Sequence, residues 1–241
     1  MMKNTVIANR LFLGASEFLE SNGIKILSFP DNPNIDKRVA HHSDLSFFFD
    51  GIDTLFVAAE FSEYADKLKE FCRNIVVIKK NLSEKYPEDV LLNCVCVGKN
   101  FICNTQTVAK EILSKMRASG YNVINVNQGY TKCSVIPVNK NALITDDESV
   151  YSECVKHGID VLKVSKGSVS LNGFDYGFIG GTAGLVSENT ILFNGNIKQH
   201  QDYKSIELFL EKYSVKVVCT EDRLTDIGSI IPIGGLYNEK K

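Results

Sequence analysis

The sequence Ser229-Ile-Ile-Pro-Ile233, near the C-terminus, repeats Ser134-Val-Ile-Pro-Val138 from the middle of the chain almost residue for residue. The central copy continues through a polar turn into a second apolar strand, which is the pattern of a β-hairpin. The C-terminal copy has no second strand after it. A suitable strand, Thr5-Val-Ile-Ala8, stands near the N-terminus. We therefore predict that the two ends of the chain together complete one repeat.

The same unit recurs along the chain. Besides the central hairpin, apolar strand pairs with short polar turns occur at 45–58, 95–104 and 183–193. Each of the four hairpins is followed by an amphipathic segment that predicts a helix, at 61–71, 107–119, 148–157 and 203–213. A β-branched strand then follows, at 75–78, 123–126, 161–164 and 215–219. The second strands recur roughly every 42 to 50 residues, a spacing typical of repeat architectures.

The pattern predicts an α/β fold: a five-bladed α/β propeller of strand-strand-helix-strand modules, closed into a ring by pairing of the terminal segments. We expect a single domain, 1–241, with modules at about 226–241 plus 1–40, 41–82, 83–128, 129–166 and 167–225. The alternative is a doubly wound open sheet. Two strands precede each helix, however, and Gly180-Gly-Thr-Ala-Gly184 leads into a strand, which disfavours a phosphate-binding loop.

Composition narrows the possible partners. The net charge is -2 and basic residues are not clustered, so we expect no nucleic-acid partner. No window is apolar enough for a membrane span, and the N-terminal residues lack the apolar core of a signal peptide. The seven cysteines lie mostly in apolar strands and are expected to be reduced thiols. We predict a cytoplasmic protein without membrane association, cofactor or metal.

Five such modules in a ring resemble the pentein fold of the guanidino-group-modifying enzymes, which include arginine and agmatine deiminases, dimethylarginine hydrolases and amidinotransferases. The stretches Gln128-Gly-Tyr-Thr-Lys-Cys133, Gly180-Gly181 and Asp226-Ile-Gly-Ser229 are similar to those of uncharacterised bacterial proteins with a pentein-like domain of unknown function. The resemblance implies an active site on the ring axis, with a nucleophilic cysteine, a His-x-Asp or His-x-Glu pair and further carboxylates. Those enzymes usually carry the cysteine in the last module, where this chain has Asp226-Ile-Gly228 and no cysteine.

Alignment of the repeats suggests that the site is rotated by two modules. Matching the two Ser-x-Ile-Pro motifs places Cys133 opposite Gly228 and Thr131 opposite Asp226. The positions equivalent to Thr131 and Cys133 are His42 and Asp44 in the first module, Val90 and Leu92 in the second, and Gly180 and Thr182 in the fourth. All of them begin the innermost strands, so we expect them to face the axis. The pair His42-x-Asp44 precedes Cys133 by two modules, as in the enzymes that the fold resembles.

The resemblance implies a specific chemistry. Cys133 would attack a guanidine or amidine carbon as a thiolate, and His42 would act as general acid and base. Asp44 and Asp226 would accept hydrogen bonds from the cation, with Gly180 and Thr182 lining the substrate site. The expected partner is a small cationic guanidine- or amidine-type molecule, and the expected activity is that of a Cys-dependent hydrolase or transferase.

Simpler interpretations stay open for each residue. Cys133 could be a buried packing cysteine, His42 part of a surface loop, and Asp44 and Asp226 turn residues. Tyr130 and Lys132 flank Cys133, but strand alternation predicts that both point away from it, on the side of Ser134. The missing cysteine in the last module favours an alternative function, a non-catalytic pentein-fold protein that binds a protein partner.

Overall fold

The computed structural model describes residues 5–9 and 16–233. Within them the chain forms five three-stranded sheets, and each sheet has the same topology. The first strand pairs antiparallel with the second, and the second pairs parallel with the third across a helical connection. The predicted α/β fold of five modules is thus confirmed, while the parts of the split module at 1–4, 10–15 and 234–241 lie outside the described residues.

The strands were predicted to within a residue or two at most ends. The inner, first strands are β15 (Ile231–Ile233), β3 (Phe47–Phe49), β6 (Val95–Val97), β9 (Val135–Asn139) and β12 (Ala183–Ser187). The second strands are β1 (Thr5–Ile7), β4 (Thr54–Val57), β7 (Asn100–Cys103), β10 (Ala142–Thr145) and β13 (Thr190–Phe193). The third strands are β2 (Lys25–Leu27), β5 (Asn74–Val77), β8 (Asn122–Asn125), β11 (Asp160–Lys163) and β14 (Lys216–Cys219).

The ring is closed by the two ends of the chain. In the sheet β15-β1-β2, Val6 faces Pro232 across an antiparallel ladder. The first strands of neighbouring sheets also contact one another, β15 with β3, β6 with β9, and β12 with both β9 and β15. All five first strands line one mostly apolar cavity on the axis. The prediction that the terminal segments share one sheet is therefore confirmed.

The connecting helices are α1 (Ser16–Ser21), α4 (Lys110–Ala118), α5 (Glu148–Lys156) and α6 (Tyr203–Lys212), besides two four-residue helices, α2 (Ser43–Ser46) and α3 (Ala65–Leu68). The predicted helix at 61–71 is wrong in its extent. A 3-10 helix, Ala59–Tyr64, precedes α3, and the backbone at Phe61 is non-helical. Phe61 is buried against Phe29 and Phe47, so core packing outweighs helical periodicity here.

Side-chain hydrogen bonds and backbone conformation determine how α5 and α6 begin and how α5 ends. The Asp147 carboxylate accepts hydrogen bonds from the amides of Ser149 and Val150 and so caps α5. Asp202 does not cap α6, because its carboxylate accepts from the Ser165 amide instead. Gly158, after α5, has the positive φ that a left-handed helix terminus requires.

Candidate functional site

The six predicted site residues, His42, Asp44, Cys133, Gly180, Thr182 and Asp226, all lie just before a first strand. His42 precedes α2, which contains Asp44 and runs directly into β3. Cys133 lies in a turn before β9, and Asp226 lies before β15. Gly180 and Thr182 belong to a 3-10 helix, Ile179–Thr182, that leads into β12. The hairpin repeats therefore deliver these residues to one end of the ring.

The cluster is closed to solvent. His42, Cys133 and Asp226 are each 3% exposed and Asp44 is 1% exposed. Polar groups buried to this degree need partners, because an unpaired buried charge is costly. The contacts of these side chains therefore decide what the cluster can do.

The Cys133 thiol lies between Asp44 and Asn93, a residue that the alignment of the repeats did not select. Its Sγ donates to Asp44 Oδ2 at 3.3 Å and accepts from Asn93 Nδ2 at 3.0 Å. Asn93 Nδ2 also donates to the Asp44 carbonyl at 3.1 Å. Asn93 Oδ1 accepts from the amides of Lys132 and Cys133, at 2.7 and 3.2 Å. The second module thus contributes to the centre through Asn93, next to the expected Leu92.

A lysine and a serine complete this side of the cluster. The prediction that Lys132 points away from the Cys133 side is wrong. Lys132 Nζ donates to Ser229 Oγ at 2.8 Å, and Ser229 Oγ donates to Asp44 Oδ2 at 2.6 Å. Strand alternation does not apply, because residues 131–134 form a turn before β9 rather than part of the strand. Lys132 is consequently the one cationic side chain bonded into the described cluster.

Asp226 lies beside His42. Its Oδ2 accepts from the Phe178 amide and its Oδ1 from the Gly228 amide, both at 3.0 Å. The Oδ1 atom is 3.7 Å from His42 Nδ1. Gly228 has a φ of +79°, and a Cβ there would lie 2.3 Å from the His42 Cα, so only glycine allows this approach. The Nδ1 side of His42 therefore faces the Asp226 carboxylate.

Gly180 contacts the cluster through its backbone, whereas the Thr182 hydroxyl bonds within its own turn. The Gly180 carbonyl oxygen lies 2.9 Å from Ser229 Oγ and is an alternative acceptor, besides Asp44, for the one proton of that hydroxyl. A Cβ at Gly180 would lie 2.5 Å from the Lys132 carbonyl oxygen, so this glycine lets the two backbones pack directly. Thr182 is fully buried and its Oγ1 donates to the Ile179 carbonyl at 2.7 Å, which closes its own turn. The contribution of both residues to substrate binding stays a prediction.

Two polar atoms at the centre have no hydrogen-bond partner among the described residues. They are His42 Nε2 and Asp44 Oδ1, and both are buried. Such atoms are uncommon in folded proteins, and a ligand is one way to satisfy them. A carboxylate oxygen accepts hydrogen bonds, so the group that would satisfy Asp44 is a donor.

The electrostatics of the centre favour a neutral thiol at rest. Burial, and then the neighbouring Asp44 and Asp226 carboxylates, raise the pKa of Cys133 well above its usual value. Burial likewise raises the pKa of Asp226, against the opposing effect of His42. Burial lowers the pKa of Lys132, while Asp44, Cys133 and Asp226 oppose that shift. A further cation in this centre would offset the carboxylates and lower the pKa of the thiol.

Other kinds of site find little support in the described part of the chain. Within residues 5–9 and 16–233, no three His, Cys, Asp or Glu side chains are grouped so that they could hold a metal ion. In the same ranges, no helix is both long and apolar enough to cross a bilayer. All seven cysteines are free thiols.

Comparison with known proteins identifies the family and the fold. A family model described as a family of unknown function, DUF6873, matches residues 6–231, so the chain belongs to this family. No curated protein matches the sequence.

Solved structures share the architecture at low sequence identity. An inosamine-phosphate amidinotransferase from Streptomyces griseus has a TM-score of 0.59 and 12% identity, covering 99% of this chain and 97% of its own. An amidinotransferase of saxitoxin biosynthesis from Microseira wollei has a TM-score of 0.59 and 12% identity, covering 92% and 89%. A dimethylarginine dimethylaminohydrolase from Pseudomonas aeruginosa has a TM-score of 0.54 and 10% identity, covering 92% and 93%. The chain therefore has the pentein fold.

Proposed function

We propose that this member of the DUF6873 family is a Cys-dependent hydrolase or transferase of a small cationic guanidine or amidine. The observation that supports this most strongly is a connected group of a buried thiol, an imidazole and two carboxylates at one end of the ring, in which His42 Nε2 and Asp44 Oδ1 have no hydrogen-bond partner among the described residues. Amidinotransferases and a dimethylarginine dimethylaminohydrolase share its fold.

A guanidinium or amidinium ion suits the chemistry of the unpartnered Asp44 oxygen. It carries several N–H donors in a plane and one positive charge, and Asp44 Oδ1 offers an acceptor that lacks a donor. Burial and then the two carboxylates raise the pKa of Cys133, and the arriving charge offsets the part that comes from the carboxylates. The thiol then loses its proton to His42 Nε2, giving a thiolate and an imidazolium.

The bond changes follow from these positions. The Cys133 sulfur forms a bond to the amidino carbon, one carbon–nitrogen bond breaks, and the departing amine takes the proton from His42. The covalent intermediate is a thiouronium cation. Water in a hydrolase, or an acceptor amine in a transferase, then attacks the same carbon while His42 accepts its proton. The carbon–sulfur bond breaks, the sulfur regains a proton from His42, and the excess proton leaves with the released amine or solvent.

Asp226 acts on His42 in this scheme. Its carboxylate lies 3.7 Å from Nδ1 and is fixed by two backbone amides. A carboxylate in that place orients the imidazole and stabilises its protonated form, as in other nucleophile–histidine–carboxylate sites. Because the four side chains are almost fully buried, ligand entry requires the end of the ring to open.

Turnover assays test the proposal. The full chain is incubated with arginine, agmatine, methylarginines and simpler guanidines, alone and with acceptor amines, while released ammonia or amine is quantified. We expect turnover of at least one compound, a covalent adduct on Cys133 by peptide mass spectrometry, and loss of both in Cys133→Ser. Cys154→Ser, in α5 outside the cluster, is the matched control and should retain activity. Turnover that survives Cys133→Ser, or no turnover and no adduct with any compound, would refute the proposal.

The closed centre supports a second candidate, a non-catalytic binding protein. Every side chain of the cluster is at most 9% exposed, and the high thiol pKa keeps Cys133 unreactive at rest. Under this candidate the central contacts only hold the ring together, and binding of a protein partner persists in Cys133→Ala. Guanidine turnover that depends on Cys133 would exclude it.

A further inference from the structure

Asp89 is a buried acidic residue that the proposed mechanism does not use. It is 7% exposed, and its Oδ1 atom, like Asp44 Oδ1, has no hydrogen-bond partner among the described residues. Its Oδ2 atom accepts from the Tyr130 hydroxyl. Burial raises the pKa of Asp89, and the hydrogen bond from Tyr130 opposes that shift. A cation that donates to Oδ1 would satisfy this atom and favour the charged carboxylate.

Two connections place Asp89 beside the centre of the ring. Along the chain, Asn93 follows four residues later and donates to the Cys133 thiol at 3.0 Å. Across the hydrogen bond, Tyr130 belongs to the segment that leads into the turn with Cys133, and its carbonyl accepts from the Ser134 amide. Burial, then the neighbouring Asp89 and Cys133, raise the pKa of Tyr130, so its hydroxyl lies near both groups. Asp89 thus lies at the same end of the ring as the thiol.

Tyr130 is the middle one of three neighbouring aromatic side chains. Its ring stacks on that of Phe178 with the centroids 5.9 Å apart, and the ring of Tyr86 lies 6.2 Å away on a tilted plane. The Phe178 amide donates to Asp226 Oδ2, whereas Tyr86 is 53% exposed, so the rings extend from the centre to the surface. Aromatic faces carry a negative potential and attract cations. A carboxylate beside such rings has the chemistry of a site for an organic cation.

An anchoring role for Asp89 does not account for both of its oxygens. The bond to Tyr130 uses Oδ2 alone, and an uncharged asparagine would offer the same acceptor without the cost of a buried carboxylate. The adjacent Glu88 pairs with Lys80 at 3.0 Å, whereas no ion pair among the described residues brings a lysine or arginine to Asp89. The Oδ1 atom is therefore the part of this side chain that a ligand can satisfy.

We infer that Asp89, Tyr130 and Tyr86 form a second cation subsite, which binds an ammonium group at the far end of a substrate whose guanidine or amidine lies at Asp44. The ammonium donates to Asp89 Oδ1 and lies against the aromatic rings. This rests on the proposed function, because it takes Asp44 as the acceptor of the guanidine. It narrows the substrate class to dications, the aminoalkylguanidines and aminoalkylamidines. As at Asp44, the ligand reaches the buried oxygen when this end of the ring opens.

Calorimetric titration of the full chain at neutral pH compares aminoalkylguanidines of two to six methylene groups (agmatine has four) with alkylguanidines of the same lengths, which lack the amine. For at least one length, the dication should bind at least about tenfold more tightly, because it adds a charge-assisted hydrogen bond. Asp89→Asn should remove that preference, whereas Asp66→Asn, at an exposed aspartate of α3, should retain it. No binding, equal affinities at every length, or a preference that survives Asp89→Asn would overturn the inference.

A second variant serves if Asp89→Asn does not fold. Tyr86→Leu removes an exposed ring and should reduce the preference for the dication by about two- to fivefold, the size of an exposed cation–π contact. Tyr151→Leu, in α5, is its control and should leave the preference unchanged. An unchanged preference in Tyr86→Leu would overturn the inference. These titrations measure binding, so a lack of guanidine turnover leaves them unaffected, whereas turnover with equal affinities for the two series would refute only the subsite.

Discussion

Replacing Asn93 with alanine should destabilise the whole ring, because this side chain joins the turn that carries Cys133 to the helix that carries Asp44. Asn93 is 2% exposed and all four hydrogen bonds of its side chain lie inside the protein. The alanine variant leaves the amides of Lys132 and Cys133 without this acceptor. Each buried unpaired amide costs about 1 to 3 kcal/mol, so the expected loss is about 2 to 6 kcal/mol. That is a large part of the roughly 5 to 15 kcal/mol that stabilises a typical domain.

Urea unfolding followed by circular dichroism measures this loss. The transition midpoint of Asn93→Ala should fall while the slope of the free energy of unfolding against urea stays unchanged. Asn122→Ala is the matched control, because Asn122 is exposed and its side chain makes one bond, to Asn100. This control should stay within about 0.5 kcal/mol of the parent protein. A loss below about 1 kcal/mol in Asn93→Ala would show that the centre does not depend on Asn93.

Two further variants test the packing at the centre and the charge of the buried Asp146, whose carboxylate accepts from the Ile179 amide. In thermal unfolding, Gly228→Ala should prevent folding or lower the free energy of unfolding by more than about 3 kcal/mol, because its Cβ would lie 2.3 Å from the His42 Cα at a positive φ. The control Gly120→Ala also has a positive φ but has open space around its Cβ, so it should lower the free energy of unfolding by only about 1 to 2 kcal/mol. Equal losses in the two variants would contradict this close approach. Burial raises the pKa of Asp146 from 3.8 to about 7, so the folded state holds this proton more tightly than the unfolded state. Stability should therefore decline as the pH rises from about 4 to about 7, by up to about 4 kcal/mol from this group. Asp146→Asn should remove that part of the decline, and an unchanged pH profile would show that Asp146 is not the cause.

Most of the fold was predictable because its signals are local and repeated. Alternation of apolar residues indicates the hairpins, and the Ser229-Ile-Ile-Pro-Ile233 motif reveals that the last module lacks a second strand. Pairing of Val6 with Pro232 confirms that inference. The predicted extent of the helix at 61–71 is wrong, because Phe61 packs into the core and its backbone is non-helical.

The site was predictable in part, and the misses have physical causes. The repeat alignment brought His42, Asp44, Cys133 and Asp226 to one end of the ring, as the structure does. It selected Leu92 and Gly228 in the other modules, whereas Asn93 and Ser229, one residue further on, make the polar contacts. One signal was available: Asn93 is a polar residue within the otherwise apolar run at 90–97.

Lys132 shows a limit of reasoning from alternation. A period of two assigns sides only within a strand, and Lys132 lies in a turn before β9. Its long side chain reaches Ser229, which is 97 residues away in the sequence. Such a contact depends on how the third and fifth modules meet at the axis, and no local pattern encodes it.

The most direct test of the central site compares two alkylating reagents of matched shape, the cationic chloroacetamidine and the neutral chloroacetamide, near neutral pH. If the carboxylates of the centre recognise an amidinium ion and thereby activate the thiol, chloroacetamidine should label Cys133 at least about tenfold faster, and Asp44→Asn should remove that preference. Peptide mass spectrometry assigns the labelled cysteine among all seven. Equal rates for the two reagents, or preferential labelling of another cysteine, would contradict a guanidine-recognising centre.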